Sequence, residues 1–127
     1  MKKSKLKKHK LRLRHLTLDD YQQIAELMGH VYDNLGGAWK QEQYLSQISR
    51  FPKGQICIED NGVLVAASFS MIVDYNRFGD VHTYAQITGD GYLTHHTDDG
   101  DTLYGVDIFV HPKFRGLRLG RRLYDAR

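Results

Sequence analysis

The sequence is short of the residues that brace or stiffen a chain. Among 127 residues there is one cysteine, Cys57, and there are two prolines, Pro52 and Pro112. A single thiol excludes an internal disulfide and the paired cysteines of a redox centre or a zinc site. It lies in the apolar run Gln55-Ile56-Cys57-Ile58, which predicts a buried structural thiol rather than a nucleophile. Also missing is any apolar run near the ~20 residues that cross a bilayer, and the charged stretch from Met1 to Arg14 is not followed by the apolar core of a secretory signal. A cytoplasmic protein without a membrane partner is expected. No internal repeat and no low-complexity linker divides the chain, so its length predicts one domain.

Acidic residues are scarce at the ends and basic ones in the middle. Lys and Arg number eight in residues 1–14 and six in 113–127, where Asp125 is the single acidic residue. From Leu16 to Pro112 there are four basic residues (Lys40, Arg50, Lys53 and Arg77) against fourteen acidic ones. Such a field suits an anionic ligand near the C-terminal end and a cationic one over the middle. Nucleic-acid binding through the basic ends is opposed by the acidic middle, and residues 1–8 read as a solvated basic tail ahead of a domain at 9–127.

Along that domain, His9 to Leu16 partly alternates apolar with charged residues and predicts a strand. Thr17 offers a helix cap, Asp19 and Asp20 favour the positive end of a helix, and Tyr21, Ile24, Leu27, Met28 and Val31 recur at helical spacing over about 18–32. Asn34-Leu35-Gly36-Gly37 stops that helix, and a second over about 40–49 turns Tyr44, Leu45 and Ile48 inward. Asp60-Asn61-Gly62 predicts a hairpin between strands at 55–59 and 63–73, the second apolar enough to be covered on both faces. Residues 74–101 are polar and aromatic, too long for an ordinary connection. A strand over 103–110 ends at His111-Pro112, and a helix opens with Leu117, Leu119 and Leu123. This order predicts an α+β fold around one mixed sheet.

The junction from Val106 to Leu123 carries the clearest chemistry. A buried strand stops at a proline, a basic turn follows, and a helix begins within a stretch bracketed by Gly116 and Gly120. Free N–H groups at a helix start carry about half a positive charge, and Arg115 and Arg118 add full charges, so a phosphate site is expected.

Val110, Pro112, Arg115 and Gly120 match in register the main cofactor motif of the GNAT acetyltransferases, in which Val-x-Pro ends a strand and Arg/Gln-x-x-Gly-x-Gly/Ala follows. The chain resembles that family over most of its length. Arg118 stands where the family usually has its first motif glycine. The resemblance implies a three-layer α+β domain with a mostly antiparallel sheet and helices on both faces, whose further C-terminal elements are expected to come from a longer chain or a partner copy. It implies acetyl-CoA as co-substrate, its pyrophosphate held by Arg115, Gly116, Leu117, Arg118, Leu119 and Gly120, and its pantetheine arm laid along backbone groups of Ile108, Phe109 and Val110. It also implies transfer to a primary amine, of a small molecule or a peptide, by direct attack. Asp107 is then the candidate base, with Tyr104 second; the family's usual acid, a tyrosine on a later helix, has no counterpart. The run from Tyr104 to Arg127 is especially similar to the acetyltransferase-type domain that precedes a carbon–nitrogen hydrolase domain in some bacterial proteins. A non-catalytic module binding coenzyme A or another anion is the alternative.

The His and Asp residues between His82 and Asp101 lack the spacing of zinc or calcium ligands, so no metal is expected. A polar loop facing the acceptor is expected instead.

Overall fold

The computed structural model describes residues 8–32, 39–79 and 81–127. Residues 1–7 of the expected basic tail and the Asn34–Gly37 helix stop lie outside the described residues. Four strands, β1 (Leu11–His15), β2 (Ile56–Asp60), β3 (Val63–Val73) and β4 (Thr102–Val110), form one sheet in the order β1-β2-β3-β4. The element order predicts one mixed sheet and the family resemblance a mostly antiparallel one; all three described pairings are antiparallel. The β2–β3 turn forms as its residues dictate, with Asn61 and Gly62 both at positive φ (53° and 88°).

Helices cover both faces. On one face α1 (Tyr21–Tyr32) and α2 (Gln41–Arg50) bury Ile24, Leu27, Met28, Tyr44 and Ile48 against Ala67, Phe69, Met71 and Val73 of β3. On the other, Leu119 and Leu123 of α5 (Leu119–Ala126) pack on Ile56, Ile58, Val65 and Ala66. That double burial explains the unbroken apolar run of β3. Cys57 is fully buried in the first layer, and burial pushes its thiol up to about 12, where it is inert.

Three sequence expectations are corrected. Residues 18–20 form a 3-10 turn ahead of α1, because the Asp20 carboxylate folds back to accept from the Thr17 N–H (2.8 Å). Leu45 is exposed, and Gln47 takes the inward position. The reason is a row of hydrogen bonds from α2 to three successive carbonyls: Gln43 Nε2 to Asp90, Gln47 Nε2 to Gly91 and Ser46 Oγ to Tyr92, at 2.6–2.8 Å. Third, the final helix opens at Leu119 rather than Leu117, after a 3-10 turn over Pro112–Phe114.

The long 74–101 connection contains two short helices, α3 (Tyr75–Phe78) and α4 (Tyr84–Thr88). Its return is tied to β3 as Thr97 N–H and Asp101 N–H donate to the carbonyls of Ile72 and Val73, and His96 Nδ1 accepts from Ile72 N–H.

Candidate functional site

The site is built where β4 stops. Strand β4 is the edge of the sheet formed by the described residues, and His111 N–H donates to Val65 O on β3 (2.7 Å). Antiparallel alternation then turns the backbone groups of Phe109 toward β3 and those of Ile108 and Val110 toward the open edge. Of the three residues expected to line the pantetheine arm, Ile108 therefore turns its carbonyl and Val110 its N–H and carbonyl outward, while the Ile108 N–H is taken by Asp107 and the Phe109 ring is buried in the core.

Upstream, the β3–β4 pairing slips by one residue: Phe69 faces Asp107 and Ser70 faces Gly105, leaving Val106 as the bulged residue. A bulge reverses the inside–outside parity of the residues beyond it. Tyr104, Val106 and Phe109 thus all join the α1 side of the sheet, and Asp107 faces the same way. There Asp107 Oδ1 accepts from the Tyr32 hydroxyl (2.7 Å) and from the Ile108 N–H (2.9 Å). Among the described residues no arginine pairs with it. Burial lifts the carboxyl above the usual Asp range against these two donors, and burial beside Asp107 raises the Tyr32 phenol, which stays protonated and donating. Tyr84 of α4 donates to the outward carbonyl of Val106 (3.0 Å), its own phenol raised by burial and by the nearby Asp107. Tyr104 lies one bulge away on the same face, its ring 5.8 Å from that of His82.

Downstream, His111 caps the Pro112–Phe114 turn by accepting the Lys113 N–H at Nδ1 (3.1 Å). Burial, then the neighbouring His30, Lys113 and Arg115 charges, lower its pKa and keep it neutral. Arg115, Gly116, Leu117 and Arg118 are exposed, and both arginine side chains lack an ion pair among the described residues. Arg122 N–H closes the first intrahelical bond of α5, to Arg118 O (3.1 Å). The N–H groups of Leu119, Gly120 and Arg121 are therefore left pointing out of the helix start. Buried Leu119 anchors this turn to the second core layer.

Arg118 occupies the left-handed region (φ 56°, ψ 33°). A glycine in the family motif is thus a conformational requirement that Arg118 meets under strain. Replacing it with glycine should relieve about 1–2 kcal/mol of left-handed cost and return part of that as unfolded-chain entropy. A net gain of about 0.5 kcal/mol is expected, read as a higher thermal midpoint; a lower midpoint for Arg118→Gly would contradict the assignment.

The sequence profile of the acetyltransferase (GNAT) family matches residues 12–126. The chain belongs to the GNAT acetyltransferase family. Among curated relatives, the probable hydrolase YhcX of Bacillus subtilis is 36% identical over 118 residues, 93% of this chain and 23% of that protein. The uncharacterized N-acetyltransferase YkwB of the same organism is 38% identical over 88 residues, 69% of this chain and 39% of that protein. The chain thus spans well under half the length of either relative. In structure it is similar to the loading GNATL domain of CurA from Lyngbya majuscula, with a TM-score of 0.76 at 22% identity, over 91% of this chain and 55% of that one. The GphF GNAT-like decarboxylase in complex with isobutyryl-CoA gives 0.70 at 20% identity, over 90% and 55%. At such identities these two show the fold.

Within the GNAT frame, the two residues of the site not anticipated from sequence are Tyr32 and Tyr84. Their hydroxyls reach β4 from 75 and 22 residues away, and no spacing rule signals either contact. Among the described residues no three His, Cys, Asp or Glu side chains gather as a metal-binding group.

Proposed function

We propose that the chain carries the acyl-CoA-binding portion of an N-acetyltransferase that moves acetyl from acetyl-CoA to a primary amine. The observation that supports this most is the junction itself: outward N–H groups at the α5 start, flanked by Arg115 and Arg118, directly follow the strand edge where Ile108 offers its carbonyl and Val110 its amide. Amides and two guanidinium groups are the donor set a pyrophosphate needs, and an open strand edge is what an amide-bearing arm can extend. The co-substrate supplies an activated thioester carbon.

The chain's own residues would then orient the amine and take its proton. Asp107 Oδ1 is occupied by Tyr32 and Ile108, and Oδ2, without a partner among the described residues, is the atom that can accept. As the new C–N bond forms and the C–S bond breaks, the amine proton passes to Oδ2, directly or through water, and is returned through water to the leaving thiolate. Burial raises the carboxyl above the ordinary Asp value, which makes it a stronger base. Tyr104, on the same face, would be the second candidate base.

Calorimetric titration with acetyl-CoA tests the first half, since an absence of binding heat would overturn it. Replacing Asp107 with asparagine tests the second: kcat should fall by about 10²–10⁴-fold with acetyl-CoA affinity unchanged. The same variant should not lose stability at pH 7. A carboxyl whose folded pKa is raised contributes stability below its unfolded pKa, and loses it as pH rises through the folded one. Wild-type kcat with acid-side dependence that survives Asp107→Asn would remove Asp107 from the chemistry.

A further inference from the structure

The 74–101 connection encloses an open groove of about 590 Å³ outside the junction, lined by Arg77, Phe78, His82, Gln86, Asp90 and His95 among others. Its size lies within the roughly 300–1,000 Å³ of small-molecule sites. Two features make it more than a gap between short helices. Its floor is held rigidly, because Asp90 and the two residues after it give their carbonyls to the hydrogen bonds from α2. Its wall is shared with the site: His82 stands against Tyr104, and Tyr84, the residue before groove-lining Ala85, donates to Val106 beside Asp107.

The groove presents both signs of charge unspent. Arg77 lies over the Phe78 ring (5.6 Å) and makes no ion pair among the described residues, and neither does the Asp90 carboxylate. His82, Gln86 and His95 add hydrogen-bonding groups, and Phe78 and Val81 add apolar surface, Val81 being almost wholly exposed. A simple amine would use the carboxylate and leave the guanidinium idle; a plain anion would do the reverse.

We propose that this groove binds the acceptor, and that the acceptor is amino-acid-like: its carboxylate on Arg77, its α-ammonium on Asp90, and a second, reacting amine directed past Tyr104 to Asp107. This deepens the N-acetyltransferase reading and rests on it for the role of the occupant, though not for the binding itself.

The test uses three probes on the whole chain, followed through backbone amide shifts by NMR. Lysine carries all three groups, cadaverine lacks the carboxylate, and 6-aminohexanoate lacks the α-ammonium. Lysine should shift the amides of residues 77–95 and bind at least tenfold more tightly than either of the others. In Arg77→Glu, lysine should fall to the level of cadaverine, with Arg77→Lys recovering part of the difference. Equal binding of cadaverine and lysine, shifts confined to other parts of the chain, or an unaltered Arg77→Glu variant would each overturn the proposal. Acetyl-CoA binding is titrated separately. Lysine bound in the groove of a chain that ignores acetyl-CoA would sink the transferase reading and keep the groove, and the converse result would sink the groove alone.

Discussion

Reversing both charges of the anion turn, Arg115→Glu with Arg118→Glu, should weaken coenzyme A binding by about 10²–10³-fold. Hydrogen bonds to charged groups contribute about 1.5–3 kcal/mol each, or about ten- to a hundredfold apiece at 1.4 kcal/mol per decade. The pair is placed to act on one diphosphate, so the effects should combine less than additively. Thermal stability should hardly change, because both side chains are exposed and unpaired among the described residues. Calorimetry at fixed ionic strength measures the loss, and the wild-type affinity should itself fall with added salt. An affinity within twofold of wild type would mean that the phosphates bind elsewhere. The N–H groups of Leu119, Gly120 and Arg121 remain in this variant, so residual binding is expected, as it is for Arg118→Gly.

The largest stability effect is expected far from that turn, at Asp20→Ala. Arg14 is the centre of a polar knot between β1, β2 and the turn before α1. It donates to both Asp20 oxygens (2.9 Å each) and from Nε to Glu59 (2.7 Å), while Asp20 also accepts from the Thr17 N–H and hydroxyl. The Asp20 side chain is 9% exposed and that of Arg14 23%. Removing one partner of a buried pair costs about 3–5 kcal/mol, and Glu59 remains to hold Arg14, so a loss of about 2–4 kcal/mol is expected. In a domain of this size that lowers the thermal midpoint by roughly 10 °C.

The pH dependence follows from the same contact. The Arg14 guanidinium holds the Asp20 carboxyl below its ordinary value of 3.8. A lowered folded pKa contributes stability above the unfolded value and loses it as pH falls through the folded one. Wild type should therefore weaken steeply below about pH 4, and Asp20→Ala should show a shallower slope there. Denaturant melts at pH 7 and pH 3 measure both, and a variant within 0.5 kcal/mol of wild type at pH 7 would show the knot to be ornamental (~0.5 kcal/mol being the scatter of neutral surface changes).

How much of this could be read in advance varies with the range of the interaction. Hairpin, strands and the main helices were legible because turn residues and apolar periodicity act within a few positions of each other. Leu45 and Gln47 went the other way because α2 packs on the 74–101 connection, whose carbonyls at Asp90, Gly91 and Tyr92 attract a polar stripe that helical spacing does not reveal. The two short helices of that connection escaped because four and five residues are too few to show a period.

By itself the sequence determined that Pro112 ends a strand, that a basic turn from Arg115 leads into a helix with spare donors, and that Asp107 is a charge set within an apolar strand. These are local facts, settled by ring closure, torsional freedom and the unpaired amides of a first turn. Tertiary structure decided what the carboxylate can do. A one-residue bulge at Val106 turned Asp107 onto the α1 face, where Tyr32 fills one oxygen and leaves the other, and α2 fastened a groove beside it. Strand pairing and burial join residues that the chain holds 75 positions apart, and the energy of such contacts exists only once the sheet has closed over them.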